Sequence, residues 1–62
     1  MLKEHAIVRA TRDLSSNVLS GCRGTIVFVY TDPYLGYEVE FADCEDYTLD
    51  VLTVTPCDIE LM

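Results

Sequence analysis

The segment from Gly24 to Phe41 constrains the fold most, because it carries two strand patterns joined by a turn sequence. Thr25–Tyr30 reads T-I-V-F-V-Y, in which β-branched and aromatic residues favour extended backbone. Tyr37–Phe41 alternates strictly between apolar residues and glutamate, as a half-buried strand does. Pro33 and Gly36 lie between the two runs and are typical of turns. The segment therefore predicts a β-hairpin, and its inward face is expected to consist of Ile26, Val29, Tyr37, Val39 and Phe41.

One strand is predicted before the hairpin, with a long connection between the two. His5–Ala10 alternates in the manner of a strand, and Val8 is its best core candidate. Residues 11–22 contain a Ser-Ser-Asn run, whose side chains favour turns, and the segment leaves room for a single helical turn near Asp13. The apolar anchors expected to fold back from this connection are Leu14, Val18 and Leu19.

Two further strands are predicted after the hairpin. Tyr47–Val54 shows no single alternation along its length, and a bulge near Asp50 would explain a switch of register. Thr55–Asp58 contains a proline that ends this strand, and it predicts a 3₁₀ turn before a last strand, Ile59–Leu61. The inward set of the fourth strand stays open between Tyr47, Leu49 and Val51 in one register and Leu52 and Val54 in the other.

These elements predict an all-β fold, a small five-stranded SH3-like barrel with a long first loop and a 3₁₀ turn before the last strand. At 62 residues the chain is expected to be a single domain, residues 1–62. A barrel limits exposed sheet edges, which suits a chain too short for two packed sheets. Because Thr25–Tyr30 is apolar on both faces, we expect either that both are covered or that the strand bends between two half-sheets.

Two motifs carry a family resemblance. Gly21-x-x-Gly24-Thr25-Ile26-Val27 is followed by Tyr37-Glu38-Val39-Glu40-Phe41 and then by an acidic turn. Together they resemble an uncharacterised family of short bacterial stand-alone domains of unknown function, over the segment from Ala6 to Leu61. The resemblance implies an SH3-like barrel and brings no assigned activity or functional residue. A similar order of strands and turns occurs in photosystem I reaction-centre subunit IV, in a ferredoxin–thioredoxin reductase subunit and in the nitrile hydratase β-subunit barrel.

The charge of the chain bears on its partners. Eleven acidic residues against four basic ones give a formal net charge of −7. A nucleic-acid binder needs clustered Lys and Arg to neutralise phosphates, so nucleic acid is not an expected partner. An acidic surface is compatible with a basic partner protein, although net charge also serves solubility alone. No apolar run of about 18 residues is present, and the chain start lacks the pattern of a secretory signal, so a complete cytoplasmic protein without membrane contact is expected.

The three cysteines are expected to be free thiols. Cys22, Cys44 and Cys57 are odd in number and widely spaced, so they cannot all pair with one another and do not form the Cys-x₂₋₄-Cys pairs of zinc sites. Free cysteines usually pack as small, buried or half-buried hydrophobes. Cys44 is the one most expected to be exposed, and the acidic residues beside it disfavour a reactive thiolate. No metal or other cofactor is therefore predicted.

Neither the carboxylates nor the histidine predicts catalysis. Asp43, Glu45 and Asp46 lack the ligand spacing of a calcium loop and are expected to form a solvated turn. His5 is the only histidine, so no base is placed beside a serine or cysteine nucleophile. A small barrel has its interior filled by side chains and offers little cleft for paired carboxylates. We therefore expect a protein that is not an enzyme and has no catalytic residues.

The tyrosines give the remaining hypothesis. Tyr37 and Tyr47 are expected at the edge of the core with hydroxyls reaching water, and the absence of tryptophan argues against docking of proline-rich peptides. The hairpin tip provides the candidate protein-contact residues Asp32, Tyr34 and Leu35. We expect a protein-interaction module, with an immunity- or antitoxin-like role as one form. An accessory barrel of an enzyme or electron-transfer complex is the alternative, and homo-oligomerisation through an edge strand is a third hypothesis.

Overall fold

The computed structural model describes residues 2–62, which form five strands and one 3₁₀ turn. The all-β class, the five strands and the 3₁₀ turn before the last strand are confirmed. The first strand begins two residues later than expected, because His5 has a φ of 70° and interrupts the extended backbone. The elements are β1 Ile7–Ala10, β2 Arg23–Tyr30, β3 Gly36–Ala42, β4 Thr48–Val54, the 3₁₀ turn Pro56–Asp58 and β5 Ile59–Leu61.

The strands form one antiparallel sheet in the order β4-β3-β2-β1-β5. The hairpin β2–β3 is thus confirmed and lies near the middle of the sheet, where β2 also pairs with β1. The last strand returns to pair with β1, so strands distant in sequence become neighbours. β4 and β5 are the two edges of this ladder. Strand pairing therefore leaves two edge strands within residues 2–62. Other features must prevent these edges from pairing with strands of other chains.

One face of the sheet carries the core. The predicted inward residues of the hairpin are fully buried, apart from Val29, which is partly buried. Val18 reaches the core from the long connection, where the amide of Leu14 donates to the Val18 carbonyl at 2.8 Å. The expected anchor Leu19 is exposed, because only one of two successive side chains can face inward there. The buried apolar residues are Val8, Ala10, Val18, Ile26, Tyr37, Val39, Phe41, Val54 and Ile59.

Gly24 belongs to β2 and allows β2 and β3 to pack closely. A Cβ built at this position would lie 2.6 Å from Val39 Cγ1 and 2.8 Å from Phe41 Cδ1. Side chains cannot approach that closely, so the absence of a side chain at Gly24 makes room for Val39 and for the buried ring of Phe41. Gly21, by contrast, is the glycine with positive φ, at 88°. Gly36, expected in the turn, is instead the first residue of β3.

Two register shifts decide which side chains face solvent. In β2 the shift falls at Val27, so Ile26 pairs with Val39 and Phe28 pairs with Glu38. After this bulge Phe28 faces outward, and the outward side chains of β2 are exposed. The expectation that both faces of this strand are covered is therefore not met within residues 2–62, because one face remains open. The alternative, a bend between two half-sheets, stays a prediction.

In β4 the shift falls at Leu49, because Asp50 pairs with Phe41 while Thr48 pairs with Ala42. The predicted bulge beside Asp50 is thus confirmed. The inward residues are Leu52, which is partly buried, and Val54, which is buried. The alternative inward set is wrong, since its members Tyr47, Leu49 and Val51 are exposed.

Two other expectations are wrong. The long connection has turns and bends but no helical turn near Asp13, because Asp13 Oδ1 accepts a hydrogen bond from the distant Ser20 amide at 2.8 Å. Tyr37 is fully buried rather than at the core edge, and its hydroxyl accepts from the Leu2 amide at 3.1 Å. Tyr47 lies outside the core and is 67% exposed.

Candidate functional site

The hairpin tip forms one side of an open groove of about 310 Å³. The end of β2, the turn of residues 31–35 and the end of β4 surround it. All three predicted contact residues line this groove, together with Tyr30, Pro33, Gly36 and the segment Thr53–Thr55. The three predicted residues are Asp32, Tyr34 and Leu35.

The register of the strands explains the groove. Tyr30 pairs with Gly36, and Gly36 has no side chain to fill the space beside the tyrosine ring. A Cβ at Gly36 would lie 3.4 Å from the Val54 carbonyl oxygen, so β3 and the end of β4 lie close together beside the groove. Tyr34 stands at the rim with 81% of its surface exposed. The lining is therefore mainly apolar, with the Asp32 carboxylate at its edge.

The outer face of the sheet continues from this groove. Phe28 and Tyr30 are two residues apart in β2, so both face outward, and their ring centroids lie 4.8 Å apart in an edge-to-face arrangement. Glu38 is the cross-strand partner of Phe28, and Thr53 is the partner of Glu38 in β4. The Thr53 hydroxyl donates to the Glu38 carboxylate. We call Phe28, Tyr30 and Glu38 the outer-face cluster.

This cluster was not expected from the sequence, because the bulge at Val27, which turns Phe28 outward, has no signature there. The spacing of Phe28 and Tyr30 does predict that they share a face, because residues two apart in a strand point the same way. The spacing does not predict which face, since that depends on the register against β3.

The thiols are free, as expected, but only one of them is partly buried. Cys22 Sγ lies 3.7 Å from the Ala42 carbonyl oxygen, and burial raises the pKa of its thiol, with the Asp43 charge raising it further. Cys44 is exposed as expected, whereas Cys57 is also exposed, against the expectation of buried or half-buried thiols. Cys22 and Cys44 line a second open groove of about 350 Å³.

The acidic turn after β3 uses its carboxylates to organise the backbone. Asp43 Oδ1 accepts from the amides of Glu45 at 2.8 Å and Tyr47 at 3.0 Å, and Asp46 forms an ion pair with Arg23. Asp46 has a φ of 66°, which Asp tolerates better than most residues. Within residues 2–62 no group of three His, Cys, Asp or Glu side chains is arranged to hold a metal ion.

Asp58 is the buried charged residue of the described chain. Its Oδ2 accepts from the Thr55 amide at 3.0 Å, and its Oδ1 accepts from Arg12 Nε at 3.0 Å. Arg12 Nη2 lies 2.8 Å from the same oxygen and completes the ion pair. The hydrogen bond from Thr55 lowers the pKa of Asp58 more than burial raises it, and Arg12 lowers it further. These contacts close the 3₁₀ turn and join it to the long connection.

Comparison with known proteins adds a family but no function. A family model described as a domain of unknown function, DUF4926, matches residues 4–61. No curated protein and no solved structure match. The part of the chain that the structure describes contains no helix able to cross a membrane.

Proposed function

The chain belongs to the DUF4926 family, a domain family of unknown function, and we propose that it acts as a non-enzymatic module that binds a basic partner protein. The observation that carries the proposal is the apolar groove at the hairpin tip, with the 81% exposed Tyr34 at its rim. Interfaces are enriched in tyrosine because it gives a large contact area with few rotatable bonds. The groove has room for an apolar side chain of the partner.

The charge of the chain supports a basic partner. The formal net charge is −7, and complementary charge accelerates association and rejects acidic partners. An immunity- or antitoxin-like protein that covers the basic surface of a toxin would have these properties. The acidic groove edge at Asp32 would face such a surface.

The polar interior supports a role without catalysis. The buried Asp58 carboxylate is already bonded to Arg12 and to the Thr55 amide, so it serves the fold. The half-buried thiol of Cys22 has a raised pKa, which disfavours the nucleophilic thiolate at neutral pH. The groove at the tip contains no histidine, cysteine or lysine as a base or nucleophile.

The experiment compares two exposed tyrosines as baits. The parent chain and the variants Tyr34→Ala and Tyr47→Ala are immobilised and exposed to extract of the native host, and bound proteins are quantified by mass spectrometry. We expect Tyr34→Ala to weaken capture of the partner about thirtyfold, the effect of losing one central tyrosine of an interface. Tyr47→Ala should retain the partner, because Tyr47 lies on the other turn and outside the groove.

Equal capture by the two variants, or no protein retained by the parent chain, would contradict the proposal. If the protein lost from Tyr34→Ala is an enzyme or electron-transfer subunit, the chain is an accessory domain of that complex and uses the same groove.

A further inference from the structure

We propose that the outer-face cluster, Phe28, Tyr30 and Glu38, binds an arginine side chain of the partner. The inference rests on the proposed function, because the arginine is taken to belong to the protein that occupies the tip groove. It assigns a chemical class of ligand to a second part of the surface. The guanidinium would lie against the exposed rings and point its N–H groups at the Glu38 carboxylate.

The aromatic pair provides the face for the guanidinium. Phe28 is 49% exposed and Tyr30 is 39% exposed, although both belong to a strand near the middle of the sheet. Their edge-to-face contact, with centroids 4.8 Å apart, fixes the two rings relative to each other. A guanidinium within about 6 Å of such a ring is attracted by the ring quadrupole. Because the rings are already ordered, little further conformational entropy is lost on binding.

Glu38 supplies the anionic acceptor. It lies directly opposite Phe28 in β3, and its one side-chain hydrogen bond within residues 2–62 comes from the Thr53 hydroxyl. A carboxylate has about four lone-pair positions, so acceptors remain for the two N–H groups of a guanidinium. The ion pairs of the described chain involve other carboxylates, and Glu38 has no basic partner there.

The cluster and the groove form one continuous surface. Tyr30 belongs to both, because its ring contacts Phe28 and also lines the groove. A short partner segment can therefore place an apolar side chain in the groove and an arginine over the cluster. This continuity is the reason to assign both contacts to the same partner.

A second copy of the chain is a poorer occupant than a basic protein. Two copies would each bring a net charge of −7, and three of the four basic side chains already form ion pairs within their own chain. Arginine is favoured over lysine because its planar fork matches a carboxylate and also stacks on aromatic rings.

The test uses two capped tripeptides, Gly-Arg-Gly and Gly-citrulline-Gly, at millimolar concentration. Citrulline keeps the shape of arginine and removes its charge. Amide shifts of the ¹⁵N-labelled chain are followed in two-dimensional NMR spectra. We expect the arginine peptide to shift the amides of Phe28, Tyr30 and Glu38, and the citrulline peptide to shift them several-fold less. Equal shifts with the two peptides, or shifts spread over all acidic surfaces, would overturn the inference.

Charge-matched variants sharpen the result. Glu38→Gln and Glu45→Gln each remove one negative charge, but Glu45 lies on the acidic turn away from the cluster. Glutamine at position 38 can still accept from Thr53, so only the charge changes. We expect Glu38→Gln and Phe28→Leu each to weaken binding of the arginine peptide about threefold, as for exposed ion pairs and cation–π contacts. Equal weakening by Glu45→Gln would show non-specific attraction and contradict the proposal.

The two proposals fail in different ways. If Tyr34→Ala loses the partner but the arginine peptide does not bind the cluster, the arginine site is wrong and the proposed function stands. If the arginine peptide binds as expected but Tyr34→Ala captures the same proteins as the parent, the cluster binds guanidinium and the proposed function is wrong.

Discussion

Val39 lies on the inner face of the central hairpin and is fully shielded from solvent. It packs against Gly24 of β2, where a Cβ would lie 2.6 Å from Val39 Cγ1. Because the alternation of Tyr37–Phe41 is strict, its burial follows from the sequence. At this position a single side chain decides whether the two middle strands can pack.

Val39→Asp is expected to unfold the protein, because it buries an unpaired charge in the core. A domain of this size has a stability on the order of 3–9 kcal/mol, and the substitution removes roughly 4 kcal/mol or more. Circular dichroism and thermal melting would measure the loss. The control is Val27→Asp at the exposed bulge of β2, which should remain folded. A parent-like melt of Val39→Asp would show that the register is wrong.

Asp58 is the residue whose ionisation should affect stability most clearly. Its pKa is lower in the folded chain than its ordinary value of 3.8, chiefly because the Thr55 amide donates to the carboxylate. The ionised group therefore stabilises the fold above the ordinary pKa, and this contribution is lost as the pH falls through the folded-state pKa. Acid unfolding should begin below about pH 4.

Asp58→Asn is expected to lower stability at neutral pH by about 1–2 kcal/mol, because the turn loses a charged acceptor and Arg12 loses its partner. The variant should also lose part of the dependence of stability on pH below about pH 4. Urea unfolding at a series of pH values would measure both effects. Glu60→Gln, which removes an exposed ion pair with Arg9, is the control and should change stability little. If Asp58→Asn loses stability below about pH 4 as steeply as the parent chain, Asp58 is not the source of this pH dependence.

Among the elements, β4 has the least regular alternation of buried and exposed residues. It is an edge strand, and edge strands offer free N–H and C=O groups to other chains. Asp50 is in the inward register opposite Phe41, and its Oδ1 accepts from the amide of Val51 at 2.9 Å. A charged side chain that occupies an edge amide opposes strand addition. The bulge at Leu49 twists the same edge further.

Asp50→Val is expected to make the chain self-associate, because it frees the Val51 amide and adds an apolar β-branched residue at the edge. Sedimentation velocity over a range of concentrations would show a monomer for the parent and dimers or larger species for the variant. Glu40→Val is the control, because it removes the same charge and adds the same side chain in β3. This strand pairs with a neighbouring strand on each side and has no free edge. If the two variants associate equally, added hydrophobicity and not the strand edge is responsible. If the parent chain is itself oligomeric, the hypothesis of assembly through an edge strand is supported instead.

Across the protein, most acidic side chains have no basic side chain to pair with, so repulsion between like charges is expected to dominate. Three ion pairs use three of the eleven acidic side chains, and the other eight have no basic partner within residues 2–62. The protein measures 32 × 20 × 18 Å, so many of these charges lie within one or two Debye lengths of each other at low salt. Net repulsion favours the unfolded chain, and this effect is expected to exceed the small gain from exposed pairs.

Salt should therefore stabilise the isolated chain. Raising sodium chloride from about 10 mM to about 500 mM is expected to increase the melting temperature by a few degrees, because the Debye length falls from about 30 Å to less than 5 Å. Differential scanning calorimetry would measure the change. A matched series in a neutral osmolyte would separate screening from effects of excluded solutes. A falling melting temperature would mean that the three ion pairs outweigh the repulsion.

The five strands, the central hairpin and its buried face were predictable from the amino-acid sequence, because alternation with a period of two is a local property of the chain. The sequence also indicated the hairpin tip as an exposed turn and a candidate contact region, since proline, glycine and an isolated tyrosine lie there. The pairing of β1 with β5 could not be predicted from local sequence patterns, because residues about fifty positions apart meet there only after the chain has folded.

The surface that the apolar residues outside the core form depends on how the strands pair in three dimensions. The bulge at Val27 turns Phe28 to the outer face, and the register against β3 then places it opposite Glu38. The missing side chain of Gly36 becomes a groove only because β4 ends beside it. These outcomes depend on how the strands fit together, and a shift of one residue would send each side chain to the opposite face.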